Sequence, residues 1–195
     1  MDRVSVDSRL LEVGLPSKVL LTFSDGNPSL NLPYHNNDHC YNVAVDAYDL
    51  GKMFPEISEE TLRHILVAGL FHDYAHTGYS HPDNLNIAAA LYFVRSISVP
   101  LLAMGLNVGT LIRLIKATEN PSPPNVEYSL DEMIMRDADL LGWCQEENHE
   151  KFLHGLTVEF EEPVTRESTK KFLSSTKFYT VHAVEKFKEA GWLDK

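Results

Sequence analysis

The strongest constraint on the fold is an apolar run that ends in an adjacent histidine and aspartate. Residues 66–71 read Leu-Val-Ala-Gly-Leu-Phe, His72 and Asp73 follow directly, and His76 comes one helical turn later. On a helix, residues three and four apart share a face, so these polar groups continue the apolar face. A buried carboxylate beside a buried imidazole is costly unless a metal ion or a close partner neutralises it. The run therefore predicts a metal ligand pair or, alternatively, a histidine–aspartate hydrogen bond in the core.

The composition limits the classes of protein to which the chain can belong. With 195 residues, 44% of them hydrophobic, it is long enough for one domain with a sizeable core. Its 17 basic and 28 acidic residues give a net charge of −11, which argues against non-specific binding to nucleic acid or anionic membranes. No run approaches the roughly 20 apolar residues that cross a bilayer, and the first 15 residues lack an apolar signal core. Two cysteines make no disulfide framework, so the sequence predicts a soluble, cytoplasmic protein.

The spacing of apolar residues predicts an all-α fold of roughly seven or eight helices without a convincing strand. We expect one helix from about Asn36 or Asn37 to Met53, and another from the N-cap residue Ser58 to Tyr74. A helix is expected over 8–21, with a break at 14–16. Another begins at Asp83 or Asn84, and its apolar residues are Leu85, Ala88, Ala89, Tyr92 and Phe93. The remaining helices are expected from Asn107, from about Glu127, and within 146–160, 166–173 and 178–192.

Three separated motifs stand in an order that is typical of one enzyme superfamily. They are His39, the pair His72-Asp73, and Asp139 within the segment Asp-Ala-Asp-Leu at 137–140. This order resembles the HD superfamily of metal-dependent phosphohydrolases, in which a His, a His-Asp pair and a distant Asp surround one metal. Residues 34–39 are similar to the YHNxxH segment of cyclic-nucleotide phosphodiesterases, and residues 72–78 are similar to their HDxxHxG segment. The resemblance covers about residues 33–143.

The resemblance implies a helical HD bundle and a role for each matching residue. His39, His72, Asp73 and Asp139 would hold a divalent transition metal (Mn, Fe, Zn, Co or Ni), and Asp73 would bridge to a second ion such as Mg. His35 would be the general acid that protonates the leaving oxygen. His76 would contact the second ion or lie just outside the metal ligands, although a bond to a loop carbonyl explains it equally well. The predicted catalytic residues are therefore His35, Asp73 and His76.

This comparison also suggests how the chain is divided. Residues 1–30 would be an N-terminal extension or helix, and residues 31–195 an HD-type catalytic domain. Within that domain, the core would span 33–143 and C-terminal helices would span 145–195.

Two aspartates compete for the last ligand position. Helical periodicity places Asp137 on the apolar stripe of Leu130, Ile134 and Leu141, whereas the family pattern places the ligand second in Asp-x-Asp, at Asp139. We predict Asp139 as the ligand and Asp137 as a residue that supports it. The other candidates near the metal or the substrate are Asn36, Lys116, Thr118, Glu119 and Arg136, although a solvated surface position suits Lys116 and Arg136 at least as well.

The histidines outside the motifs receive simpler predictions. We expect His81 to be a loop residue, and we expect surface or packing roles for His64, His149, His154 and His182.

The chain departs from the phosphodiesterases in ways that leave its substrate open. It is much shorter than their catalytic domain, and its single glutamine, Gln145, does not match the glutamine with which they grip the purine. The leading hypothesis is a phosphohydrolase that uses a metal-activated water to cleave a nucleotide-type phosphodiester or phosphomonoester. The alternatives are a di-iron HD oxygenase and a non-catalytic nucleotide-binding regulatory module. The sequence leaves the oligomeric state open, a homo-oligomer included.

Overall fold

The computed structural model describes residues 3–79, 83–123 and 125–192. Over these ranges the protein is 68% helical and contains no strand, which confirms the all-α prediction. The α-helices in these ranges are α1 (Arg3–Glu12), α2 (Ser17–Asp25), α3 (Asn37–Gly51), α4 (Glu59–Phe71), α5 (Asp83–Ser96), α6 (Ser98–Ala103), α7 (Val108–Ala117), α8 (Leu130–Leu141), α9 (His149–Phe160), α10 (Arg166–Ser175) and α11 (Val181–Glu189). Two short 3₁₀ helices, Gly142–Cys144 and Glu146–Asn148, connect α8 to α9.

The described ranges contain 11 α-helices, which is more than the roughly seven or eight that were predicted. The predicted break at residues 14–16 separates α1 from α2, and Gly14 adopts φ +69° there. The predicted cap residues Ser58 and Asn107 do cap their helices, since their side chains accept the backbone N–H of Thr61 and Thr110. In the described part of the chain, none of the helices combines the length and apolarity needed to span a membrane.

The core forms around α3, which packs most extensively against α4 and α8. The approach of α3 to α4 is unusually close because α4 has a glycine at the contact. A Cβ atom added to Gly69 would lie 2.6 Å from the Cα of Ala44, so no larger residue fits without separating the helices. The closeness matters for function because α3 carries His39 and α4 leads directly into His72.

The fourth helix ends earlier than predicted, at Phe71 instead of Tyr74. His72 is its C-cap residue, and the chain then turns sharply, with Ala75 in the left-handed region at φ +61°. The backbone N–H of Ala75 donates to the side-chain oxygen of Asn27, at 2.9 Å, and so does not extend the helical ladder. A distant polar side chain therefore replaces the helical hydrogen bond, which local periodicity cannot predict.

The fifth helix buries a different face from the apolar residues noted in the sequence. Its core side consists of Ile87, Ala90, Leu91 and Val94. Leu85 and Tyr92 point outwards and are 57% and 77% exposed, because no other described helix covers that side.

Candidate metal centre

Four potential metal ligands from three helices meet at one end of the core. His39 lies in the first turn of α3, His72 and Asp73 follow the last residue of α4, and Asp139 lies in the last turn of α8. The side chain of Asn36 caps α3 by accepting the backbone N–H groups of Asp38 and His39. Asn36 therefore fixes where the helix begins and how His39 leaves it.

The ligand atoms of His39, His72 and Asp139 are spaced as they would be around one ion, and Asp73 lies beside the two imidazoles. The Nε2 atoms of His39 and His72 are 3.2 Å apart. Asp73 Oδ2 is 3.2 Å from each of them, and Asp139 Oδ1 is 3.2 Å from His39 and 3.4 Å from His72. Ligands at about 2.0–2.3 Å from a transition metal are roughly 3.0–3.6 Å from their neighbours, so these separations need little change on binding.

The charges of the centre favour a cation. Burial by itself lowers the pKa of His39 and His72, but the carboxylates of Asp73 and Asp139 raise both pKa values above the usual range. Burial would raise the pKa of the two carboxyl groups, and the imidazoles lower both instead. The carboxylates thus stabilise positive charge between them, whether on imidazole or on a metal ion.

The orientation of His72 is also suited to a ligand. Its Nδ1 lies 2.8 Å from the carbonyl oxygen of Gly69, so an N–H at Nδ1 would leave the Nε2 lone pair directed at the centre. Imidazole and carboxylate together suit Zn, Mn, Fe, Co and Ni. The group formed by His39, His72 and Asp139, with Asp73 beside it, could therefore hold a metal ion.

A second cluster, consisting of His35, His76 and Glu159, adjoins the first. The His35 and His76 rings stack with centroids 3.7 Å apart, and the His35 ring centroid lies 5.6 Å from that of His39. Glu159 accepts a hydrogen bond from the Nδ1 of His35 through one oxygen. Its other oxygen accepts the backbone N–H groups of Tyr34 and His35, each at 3.0 Å.

The second cluster is better arranged to hold a proton than a metal. Its ligand atoms are close enough that it could also hold an ion. However, the two stacked rings are only 16° from parallel, so a single ion cannot lie in the plane of both. Burial, and then the nearby His35, lower the pKa of His76 to about 4, which keeps that ring neutral. Burial would raise the pKa of Glu159, but its hydrogen bond to His35 lowers it, so this carboxylate is ionised.

The exposed edge of the two clusters shows where a substrate could enter. The side chains of Asp139, His35 and Asp73 are 22%, 16% and 12% accessible, whereas those of Glu159 and His72 are 0% and 1% accessible. The candidate acid and both carboxylate ligands thus lie at the open edge, and the groups that orient them lie behind.

Glu159 belongs to the site, although the sequence did not predict it. It lies on α9, 124 residues from His35, and nothing in its local sequence marks it. A signal exists one turn earlier, where Gly155 lets α9 approach the segment before α3. A Cβ atom there would lie 2.9 Å from the carbonyl oxygen of Pro33. The glycine shares a helix face with Glu159, so the close approach brings the carboxylate to His35.

Asn27 is a second site residue that its local sequence does not mark, and it lies in the predicted N-terminal extension. Its side chain is 2% exposed, and its oxygen accepts the backbone N–H groups of Ser29 and Ala75. The hydroxyl of Ser29 donates to the same oxygen of Asn27 at 2.8 Å and lies 3.4 Å from the carbonyl oxygen of Asp73. Asn86, which is 1% exposed, holds the far end of the same turn by accepting the N–H and hydroxyl groups of Thr77. The two asparagines therefore fix the turn that presents Asp73 and His76.

We expect Asn27→Ala to weaken metal binding about 10- to 100-fold, the usual effect of losing a residue that orients a ligand. Asn86→Ala is the matched control. It removes an equally buried asparagine that binds the same turn at Thr77, farther from Asp73. Both variants should lose about 1–3 kcal/mol of unfolding free energy, since each leaves buried N–H groups unpaired. Metal affinity is measured by competition with a chromophoric chelator, and stability by urea unfolding of the metal-free protein. Equal losses of affinity in the two variants would show that Asn27 has no specific role in positioning.

The structure separates the two competing aspartates. Asp139 joins the imidazoles, whereas Asp137 points to the opposite side of α8 and accepts the backbone N–H groups of Tyr179 and Thr180. Asp137 therefore binds the segment just before α11 and holds it against the helix that carries Asp139.

The remaining predicted residues lie around α7. Lys116 is exposed, and the hydroxyl of Thr118 donates to Ile115 of its own helix. Arg136 is not a surface residue: it is 8% exposed and donates to the backbone carbonyls of Ala117 and Glu119. Within residues 3–79, 83–123 and 125–192, no hydrogen bond or ion pair joins Lys116, Thr118 or Glu119 to the four ligands.

The histidines outside the motifs lie in the core or at the surface, as predicted. His64 and His149 are buried and bond to backbone groups, and His154 is exposed. His182 packs against the ring of Phe54. The prediction for His81 falls outside the described residues.

Comparisons with known proteins found neither a matching family model nor a matching curated protein. The helical fold and the histidine–aspartate groups are compatible with an HD-type fold, and the residues themselves carry that resemblance.

Proposed function

We propose that the protein is a metal-dependent phosphohydrolase that cleaves a small, nucleotide-type phosphate ester. The observation that carries the proposal is the pairing of two different clusters at one opening. Four ligand atoms converge at 3.2–3.4 Å, and a histidine–glutamate pair lies beside them at the same accessible edge. Ester hydrolysis needs these two functions together, a bound nucleophile and a proton for the leaving group.

His39, His72, Asp73 and Asp139 would hold a divalent transition metal, with a second ion such as Mg bridged by Asp73. Such an ion would supply a water that ionises near neutral pH and would stabilise charge on the phosphoryl oxygens. The protein's own contribution is to hold the ligands in place before binding, through the Nδ1–Gly69 contact of His72 and through the Asn27 turn.

His35 would donate the proton to the leaving oxygen. Its Nδ1 is paired with Glu159, so Nε2 is the nitrogen that can meet the substrate. The ionised carboxylate would hold the orientation of the His35 ring, since two backbone N–H groups fix the carboxylate in turn. The neutral ring of His76 stacks on His35 and limits its rotation.

The charges around the opening favour a substrate of low charge. Among the described residues, Asp73, Asp139 and Glu159 form ion pairs only with histidines, and no lysine or arginine pairs with them. A phosphodiester carries one negative charge and a phosphomonoester about two, and with no lysine or arginine paired at the opening only the metal would offset the second charge of the monoester. We therefore propose a phosphodiester as the preferred substrate.

We propose that the protein is cytoplasmic and that its partner is this small substrate. Both of its cysteines, Cys40 and Cys144, are free, which is typical of a protein in a reducing compartment. The division into an N-terminal extension and a catalytic domain stays a prediction.

A hydrolysis screen tests the proposed function. Cyclic nucleotides and nucleoside mono-, di- and triphosphates are incubated with the protein and with Mn, Mg, Zn, Co or Ni. We expect metal-dependent release of product from at least one cyclic or other diester substrate, and Asp73→Ala should abolish it. Absence of turnover by a metal-loaded protein would contradict the proposal and favour a binding module. Iron content together with oxygen consumption would favour the di-iron oxygenase instead.

A further inference from the structure

An apolar stripe runs along the outside of α5 and α6. It consists of Leu85, Tyr92, Val99 and Leu102, which are 57%, 77%, 76% and 60% exposed. These four residues form the outer stripe. A single turn residue, Ile97, separates the two helices, and Leu101 still bonds to its carbonyl, so the helical path is nearly continuous.

The outer stripe is a real surface feature, since the opposite side of the same two helices is packed. Ile87, Ala90, Leu91, Val94 and Leu101 are all buried, at 6% exposure or less. Their spacing is helical across both elements, so the residues half a turn away must face outwards. The described part of the protein brings no other helix over them.

The segment that carries the outer stripe is almost free of charged residues. The 29 residues from Asn84 to Ile112 contain a single charged residue, Arg95, although charged residues make up 23% of the chain. The protein as a whole carries a net charge of −11, so most of its faces repel a second copy. On this face that repulsion is weakest, because the stripe contains no carboxylate and the exposed Arg95, three residues after Tyr92, adds a positive charge beside it.

The exposed area matches what a modest dimer requires. Aromatic side chains present roughly 150–250 Å² and aliphatic ones less, so the four residues at 57–77% exposure contribute on the order of 500 Å². That lies within the range for the largest apolar patch on a monomer, about 300–600 Å². Two copies that meet through the stripe would bury at most about 1,000 Å² from these residues alone, the lower limit for a specific interface.

We propose that the outer stripe is a docking surface for a second copy of this chain. Two copies of α5–α6 pack face to face about a two-fold axis, so that each stripe covers the other. Such a contact is isologous and closes after two subunits, so it gives a dimer and not a filament. The interface is small, so the dimer dissociates on dilution.

Val99 and Val4 provide a matched pair of variants for the test. Each is the second residue of its helix, α6 or α1, and they are 76% and 71% exposed. Both positions are largely exposed, and surface substitutions usually change stability by less than about 0.5 kcal/mol, so neither change should unfold the protein. Only Val99 lies on the outer stripe. Leu85→Asp, on α5, serves as a second variant of the stripe.

The experiment is sedimentation velocity of the full chain from about 1 µM to about 200 µM, where small interfaces associate measurably. We expect the wild type to shift from monomer to dimer across this range. Val99→Asp and Leu85→Asp should weaken the association by about tenfold or more, because they bury a charge, whereas Val4→Asp should leave it unchanged. Circular dichroism checks that each variant is folded.

Three results would overturn the proposal. A wild type that stays monomeric throughout would mean that another partner, or none, covers the stripe. A dimer that survives both stripe variants uses another face. Equal weakening by Val99→Asp and Val4→Asp would show that added negative charge acts through the protein as a whole.

Discussion

Asp139→Asn is expected to lose its metal, whereas Asp137→Asn should keep it. The two residues are on the same helix, two positions apart, and the change removes one charge in each case. Asp139 Oδ1 is 3.2 Å from His39 and 3.4 Å from His72, so its replacement removes a ligand atom. Loss of an orienting residue alone costs about 10- to 100-fold in affinity, so loss of the ligand should exceed about a hundredfold.

Asp137→Asn should fail in a different way. The carboxylate accepts N–H groups from Tyr179 and Thr180 at 2.7–3.2 Å, and an asparagine would turn an NH₂ group towards one of these donors. A buried unsatisfied donor costs about 1–3 kcal/mol, so this variant should lose stability and retain the metal.

The two aspartate variants are compared by metal content after dialysis and by urea unfolding of the metal-free proteins. Full metal content in Asp139→Asn, or loss of metal from Asp137→Asn at normal stability, would contradict the placement of these side chains. Asp73→Ala is the positive control, because its carboxylate lies 3.2 Å from both imidazoles.

His35→Ala is expected to retain the metal and to lose most of its activity on a natural ester. General acid catalysis contributes roughly a hundredfold to ten-thousandfold when the leaving group is a poor one. A p-nitrophenolate leaving group needs little protonation, so the same variant should lose much less activity on a p-nitrophenyl ester. The contrast requires that the chemical step limits both rates, which single-turnover measurements can establish.

The controls for His35→Ala come from α9. His154→Ala removes an exposed histidine that takes no part in either cluster, so its activity should be unchanged. Glu159→Gln should resemble His35→Ala in its preference between the two esters, since it replaces the carboxylate that pairs with Nδ1 of His35. Equal losses of His35→Ala on both substrates would mean that His35 positions the substrate. Loss of the metal would place His35 among the ligands.

Local sequence was sufficient for the fold class and for the choice of candidate ligands. Helical spacing and cap residues depend on neighbours within a few positions, so α3, α4 and the start of α7 could be predicted with small errors. The ordered histidines and aspartates could also be recognised from the chain alone. Residue type determines which groups are able to hold a metal, and the structure brings His39, His72, Asp73 and Asp139 together.

Tertiary contacts decided the features that periodicity leaves ambiguous. Asp137 is buried and Asp139 is partly buried when α8 packs, so an apolar stripe cannot show which one faces the imidazoles. On α5 the apolar residues extend around the helix, and only the position of its neighbours left Tyr92 outside. The end of α4 was misplaced because Asn27, 48 residues from Ala75, supplies the hydrogen bond that ends the helix.

The pairing of His35 with Glu159 shows the limit most clearly. These residues are 124 positions apart, and their contact depends on the close passage of α9 over Pro33 at Gly155. The sequence by itself determined a helical protein with the side chains of a metal site, because helix formation and ligand chemistry are properties of short segments. Only the tertiary structure decided which carboxylate faces the imidazoles, which group orients His35, and which apolar face remains open, because these depend on which distant helices pack together.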